Sequence, residues 1–206
     1  MAFRISYTIY FLFIISLSAC SQNKTTISEQ KKPVFVNSEK EHKAYFASGC
    51  FWCVEAIYES IIGVNNVVSG YSGGNISNPT YEIVNTKKTG HAETIEVSYD
   101  PKKINFSILV DIYFASQEIE QINGQGPDNG PQYRSIIFYQ TEAQKDLINK
   151  KIENLEKNKN LKVAAEVSAF QKFWVAENYH QDFKKKNPNH PYILSVSNPR
   201  FNKFKF

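Results

Sequence analysis

The segment Ala92 to Tyr99 alternates without interruption, with Thr94, Glu96 and Ser98 on one face and Ile95, Val97 and Tyr99 on the other. A period of two demands a strand with one side against a core, so any fold for this chain must supply a sheet. Its neighbours fit that demand. Lys43 to Ser48, Val67 to Tyr71, Ser135 to Tyr139 and Val163 to Val167 have strand character, the second of them closed by Gly73-Gly74. Helical spacing runs between them: Val54, Ile57, Tyr58, Ile61 and Ile62 within Phe51 to Gly63, and Ile108, Leu109, Ile112 and Tyr113 within Asn105 to Ala115. Thr141 caps a charged helix reaching Lys159, and Val175 to Lys186 is expected to be the last helix. Asn78 to Val84 has a polar cap with Pro79 in the first turn, the pattern of a short helix. Asn123 to Pro131 holds too many turn formers for regular structure and is assigned to a loop of the kind that collects function. This alternation predicts an α/β or α+β sandwich and leaves the strand order open.

The first twenty residues follow other rules. Arg4 supplies a positive charge, Tyr7 to Leu17 is a short apolar run, and Leu17-Ser18-Ala19-Cys20 ends it. Such a run is too short for a spanning helix and has the form of an export signal. Its last four residues resemble a bacterial lipobox, which makes residues 1–19 a lipoprotein signal peptide and Cys20 the lipid attachment site. An ordinary cleaved signal with an incidental cysteine is the alternative. Ser21 to Glu41 is polar and aperiodic, so residues 20–41 are expected to be a tether and residues 42–206 the folded domain. The expected location is the cell envelope, with the protein anchored to a bacterial membrane on the periplasmic side or at the outer membrane. Ser21 and Gln22 bring no aspartate after Cys20, which favours the outer membrane in organisms that sort by that residue.

A chain of 206 residues with 42% hydrophobic content supports one core. Its formal charge of +4 is small, and Lys145, Lys150, Lys151, Lys157 and Lys159 share one helix rather than forming a basic stripe. That is a solvated helix face, so no nucleic-acid partner is expected.

Cys50 and Cys53 stand where the first strand gives way to the first helix. A thiol at a helix start faces unpaired N–H groups and the positive end of the dipole, so Cys50 is expected to be the thiolate of the pair. Buried structural cysteines are one alternative. Zinc is disfavoured, because His42, His91, His180 and His190 lack paired spacing. A disulfide is within reach, since positions i and i+3 of a helix lie about 5 Å apart at Cα. So small a ring stabilises little, which points to redox use rather than a staple. A thioredoxin-like exchanger and an enzyme whose thiolate attacks a small substrate then remain, and no convincing cis-proline segment supports the exchanger.

Six motifs in register narrow the choice: Gly49-Cys50-Phe51-Trp52, Gly70-Tyr71-Ser72-Gly73-Gly74, Asn78-Pro79-Thr80-Tyr81, Thr89-Gly90-His91-Ala92-Glu93, Gly130-Pro131-Gln132-Tyr133-Arg134-Ser135 and Tyr179-His180-Gln181. In order and spacing they closely resemble the A-type peptide methionine sulfoxide reductases, over residues 43 to about 193. The resemblance implies a two-layer α/β (α+β) sandwich with a mixed sheet, and thiol-dependent reduction of methionine S-sulfoxide, free or in proteins. By the same resemblance Cys50 is the nucleophile, and Phe51 and Trp52 form the apolar wall for the S-methyl group. Glu93 is the acid that protonates the sulfoxide oxygen, for which its pKa must be raised. Tyr81 and Tyr133 donate to that oxygen, Asp128 orients water or substrate, and His180 is a supporting residue.

The sequence departs from the family pattern in two places. The tail from Tyr192 to Phe206 lacks the resolving cysteines of many relatives, which leaves Cys53 as the resolving thiol or no protein thiol at all. Ser116-Gln117-Glu118-Ile119 stands where many relatives have His-Asp-Pro-Thr. The implied partners are oxidised methionine in proteins or peptides and a thioredoxin-like reductant, with membrane contact only through the N-terminal lipid. The implied cofactor is an external thiol and nothing bound, and a monomer is expected. A catalytically inactive envelope lipoprotein that keeps the fold for binding is the rival from another class.

Overall fold

The computed structural model describes residues 42–204. The expected signal peptide over 1–19, the lipid attachment at Cys20 and the tether over 20–41 lie outside the described residues. In chain order the elements are β1 (His42–Ala47), α1 (Phe51–Glu59), β2 (Val64–Ser72), α2 (Tyr81–Asn85), β3 (Ala92–Tyr99), α3 (Phe106–Ala115), β4 (Gly124–Gln125), β5 (Asp128–Asn129), β6 (Ile136–Tyr139), α4 (Glu142–Lys159), β7 (Glu166–Ala169), β8 (Trp174–Val175), α5 (Phe183–Lys186) and α6 (Asn198–Phe204). The main sheet has the order β7-β6-β1-β3-β2-β8, and only β6 and β7 run parallel, so it is mixed.

The predicted alternation takes a particular form at the sheet centre. β1 and β3 are antiparallel, with His42 opposite Tyr99 and Phe46 opposite Ile95. On β1, Ala44 and Phe46 enter the main core with Ile95, Val97 and Tyr99, while Tyr45 and Ala47 join a second cluster with Ile136, Phe138 and Phe170. Both faces of β3 are therefore covered, and Thr94 and Ser98 are buried rather than solvated. Glu96 is tolerated there because Lys43 Nζ (2.7 Å) and Tyr45 Oη (2.8 Å) both donate to it.

Local capping explains where the helices start. Thr80, Asn105 and Thr141 cap α2, α3 and α4, each accepting the N–H three residues on through its side chain. Pro79 precedes the Thr80 cap rather than sitting in the first turn. α1 stops at Glu59, short of the expected Gly63, because Ser60 folds back on Ile57 O through both its N–H (3.1 Å) and its Oγ (2.6 Å). The last strand of the pattern is Glu166–Ala169 instead of Val163 to Val167, set by the ladder from Ile136↔Glu166 to Tyr139↔Ala169.

The expected helix Val175 to Lys186 is broken into β8, a 3-10 turn at Asn178–His180, and α5. Tertiary bonds outcompete helix spacing here. Glu177 accepts Tyr81 N–H and Tyr71 Oη at 2.9 Å each, and the Gln181 side chain pairs with both Ser69 N and Ser69 O. Asp182 is left-handed at φ 54, which ends helical propagation. Beyond it a π-helical turn, Ile193–Ser197, leads into α6, which packs on α1. The loop over Asn123 to Pro131 contains a two-residue β4–β5 ladder, Gly124↔Asn129 and Gln125↔Asp128.

Candidate active site

Ser48, Gly49 and Cys50 make the turn between β1 and α1. Gly49 has φ 75, and a Cβ there would fall 2.4 Å from Gln125 Cβ, so a side chain is excluded on both counts. Cys50 is the N-cap residue, and its carbonyl accepts Cys53 N–H at 3.1 Å. Ser48 is held from two directions. Its Oγ donates to Gln117 Oε1 at 2.8 Å, and its O and Oγ accept Arg200 Nη1 (2.8 Å) and Nη2 (2.9 Å). Gln117 Oε1 also accepts Ser135 Oγ (2.8 Å) and Gln125 Nε2 (3.2 Å), so the segment that departs from the family pattern braces the rear of this turn.

Strand β3 delivers the carboxyl. Glu93 is 2% exposed, and its Oε2 accepts the N–H of Phe51, next to Cys50, at 2.9 Å. Burial pushes its pKa up to about 8 against the pull of that N–H, and the nearby charges of Asp128 and Cys53 push the same way. Glu93 therefore holds a proton at neutral pH, as an acid at this position must.

The thiols correct the expectation from the helix start. Cys50 is only 6% exposed, and burial raises its pKa well above the ordinary thiol range. The hydrogen bond it gives to Cys53 and the charge of Glu93 add to the rise, so the dipole at the N-cap is outweighed. Cys53 moves the other way, down to about 6, chiefly because the Cys50 thiol donates to it, with Arg200, Ser197 and Tyr192 helping against burial. The two thiols therefore titrate as a pair, with the Cys50 proton shared toward Cys53. Tyr192 Oη donates to Asp128 Oδ2 (2.5 Å) and stands 3.8 Å from Cys53 Sγ.

The aromatic groups close around this centre. Phe51 is buried, 4.8 Å from the His180 ring and 5.9 Å from Tyr71. Trp52 is half-buried and stacked on Phe183 at 3.6 Å, with His190 and Tyr192 edge-on to it at 6.0 and 5.7 Å. Its Nε1 donates to His180 Nδ1 at 3.0 Å, which places the His180 proton on Nε2. Burial lowers the His180 pKa to about 4, so this ring is neutral and orients Trp52. The Tyr81 phenol interacts with the Asn85 side chain and with Tyr133, and burial raises both phenols. Glu93 and Cys50 act electrostatically on both of them.

Cys50, Cys53, Phe51, Trp52, Tyr81, Glu93, Asp128 and Tyr133 are thus brought to one place, with His180 behind Trp52, while Cys20 lies outside the described residues. Sequence reasoning missed Tyr192, Arg200 and Glu177. Arg200 did leave a signal: in a lysine-rich chain the described residues hold only Arg134 and Arg200 as arginines, and arginine is the residue of fixed, forked contacts. Tyr192 and Glu177 left none. Beside Cys53 opens a cavity of about 250 Å³, also lined by Gln125, Asp128, Ser195, Arg200 and Lys203. Among the described residues no cluster of His, Cys, Asp and Glu is suited to a metal ion.

Comparison with known proteins agrees with this geometry. The family profile described as peptide methionine sulfoxide reductase matches residues 23–206. A peptide methionine sulfoxide reductase MsrA of Nautilia profundicola is 46% identical over 162 residues, covering 79% of this chain and 93% of that protein. The MsrA of Pasteurella multocida is 44% identical, covering 79% and 94%. Among solved structures, yeast Mxr1 in its reduced form superposes with a TM-score of 0.70 at 31% identity, covering 77% of this chain and 92% of that one. Methionine sulfoxide reductase A of Corynebacterium diphtheriae gives 0.66 at 28%, covering 76% and 82%. A profile match through the whole described region, with relatives above 40% identity along nearly their full length, settles what the buried acid and thiol only suggest: the chain belongs to the peptide methionine sulfoxide reductase family, as an oxidoreductase of the A type.

Proposed function

We propose that this enzyme reduces the S epimer of methionine sulfoxide, free or in proteins, by attack of Cys50 on the sulfoxide sulfur, and that Cys53 and an external dithiol regenerate it. One observation carries the reading: a buried carboxyl that keeps its proton at neutral pH is bonded to the N–H beside Cys50. The substrate methyl rests against Phe51 and Trp52, and the oxygen faces Glu93, Tyr81 and Tyr133. As Cys50 attacks, its proton passes to the Cys53 thiolate, and the Glu93 proton passes to the oxygen. The S–O bond to the substrate breaks, the thioether leaves, and Cys50 is left as a sulfenic acid. Cys53 then condenses with it, forming the S–S bond and releasing water, while Glu93 takes a proton from solvent.

A dithiol protein reduces that disulfide in two exchange steps and leaves oxidised. Yeast Mxr1, solved in complex with Trx2, supports a thioredoxin-like donor. The lipobox-like Leu17-Ser18-Ala19-Cys20 supports repair of oxidised methionine in the cell envelope as the setting. Metabolic labelling with palmitate checks it: incorporation lost in Cys20→Ser supports the anchor, and an unlabelled parent chain refutes it. For the chemistry, a racemic methionine sulfoxide peptide is incubated with the domain and dithiothreitol. Loss of about half the sulfoxide, all of the S epimer, is expected, since the enzyme is specific for one hand. No loss leaves a binding protein.

A further inference from the structure

The thiol pair has a neighbourhood on each side. Toward β3 lie Glu93 and the substrate aromatics. Toward the C-terminal segment lie Tyr192, Ser197 and Arg200, all of which act on Cys53. Arg200 is unusual in its bonding. Its Nε donates to Ser116 O (2.8 Å), Nη1 to Ser48 O (2.8 Å) and Nη2 to Ser48 Oγ (2.9 Å). These acceptors are all neutral, and among the described residues no carboxylate pairs with it. Arg134, by contrast, meets Glu166 at 3.0 Å. A half-buried guanidinium fixed by neutral oxygens is not neutralised by an ion pair, and it shares the wall of the 250 Å³ cavity with Cys53. Of the other charges there, Lys203 stands 3.7 Å from Glu118, and Asp128, bonded by Tyr192, also lies within the field of Arg200.

We propose that Arg200 is a positioning residue for the second thiol: anchored to Ser48 and Ser116, it holds negative charge on the Cys53 sulfur and so sets how fast Cys53 closes the disulfide on an oxidised Cys50. The proposal rests on Cys53 being the resolving thiol. After methionine has left, Cys53 ionises again, its proton going to solvent. The thiolate attacks the Cys50 sulfur, the S–S bond forms, the S–O bond of the sulfenic acid breaks, and the oxygen leaves as hydroxide that takes up a proton. Charge on Cys53 is needed before that attack, and Arg200 faces it throughout. The groups that set this charge are Cys50 on the same turn, Glu93 on β3, Asp128 on β5, and Tyr192 and Arg200 from the C-terminal segment. The lowered Cys53 pKa, with the Arg200 field among its causes, points the same way.

The test isolates Cys53. In a Cys50→Ser background, modification of Cys53 by iodoacetamide is followed against pH with Arg200, Arg200→Gln and Arg200→Lys. Arg200→Gln is expected to move the midpoint up by about one pH unit, about tenfold less thiolate below it, as loss of a nearby opposite charge does. Arg200→Lys, which keeps charge while giving up the fork, is expected to restore most of the shift. In the Cys50 form, disulfide closure after one turnover should slow about twofold at pH 7 and about tenfold well below pH 6 in Arg200→Gln, and recover as pH rises. A midpoint unmoved in Arg200→Gln, or one moved equally by Gln and Lys, overturns the proposal. Failure of the enzyme to release methionine would instead refute the functional reading, and the alkylation profile would still judge Arg200.

Discussion

Glu93 reaches the thiol pair from β3, a strand laddered on both sides by β1 and β2, whereas Tyr192 and Arg200 reach it from a C-terminal segment outside the sheet. The first arrangement fixes a carboxyl beside a thiol through backbone pairing. The second relies on side-chain bonds spanning long sequence distances, such as Arg200 to Ser48 and Tyr192 to Asp128. In the proposed cycle, sulfoxide reduction and recovery of the thiols thus draw on different supports, and substitutions can separate them.

The largest expected effect is on the sheet side. Cys50→Ser should reduce methionine release to background, measured with a sulfoxide peptide and dithiothreitol, because Cys50 is the thiol adjoining the Phe51 N–H that Glu93 accepts; retained release would move the nucleophile elsewhere. Next comes Glu93→Gln, which keeps the volume and removes the proton, with an expected loss on the order of 10²- to 10⁴-fold in the single-turnover rate. Cys53→Ser should then allow one stoichiometric release and abolish rapid recycling by a dithiol protein; undiminished steady-state turnover would show that Cys53 resolves nothing. Smallest is Tyr71→Phe, which strips a partly buried hydrogen bond from Glu177 and should cost about 1 kcal/mol in denaturant unfolding with the chemistry retained.

pH divides the two sides as well. Single-turnover rate should fall below about 6, where Cys53 becomes protonated, and above about 8, where Glu93 loses its proton. The acid limb should vanish in Cys53→Ser and the alkaline limb in Glu93→Gln. Stability follows from the same carboxyl. Its folded pKa lies above the unfolded one, so the native state binds more protons, and the stability this contributes declines as pH rises from the ordinary carboxylate range through about 8. Glu93→Gln should therefore gain on the parent in unfolding midpoint as pH rises through that window.

What the sequence made legible follows the same division. The strand Ala92–Tyr99, the cap at Thr141 and the helix within Asn105 to Ala115 were written in local patterns, and the structure keeps each of them. The helix over Val175 to Lys186 was not, because its breaks come from Glu177 binding Tyr71 and Tyr81 and Gln181 binding Ser69, partners about a hundred residues away. The upward direction of the Cys50 pKa was missed for a related reason. Proximity to a helix start is local and visible, whereas the burial that raises Cys50 and the Arg200 field that favours Cys53 depend on the assembled fold. The family motifs gathered the substrate side, and nothing in them named Tyr192.

The antiparallel pairing of Phe46 with Ile95 places the end of β1 and the beginning of β3 at the same end of the sheet, so the Cys50 thiol and the Glu93 carboxyl emerge from one hydrogen-bonded ribbon. A molecule nicked near Ser195 would still carry that ribbon whole. Deprived of the Arg200 anchor, it would still take the oxygen from one sulfoxide but reset sluggishly, so damage to this enzyme should first show as fatigue and only later as incompetence.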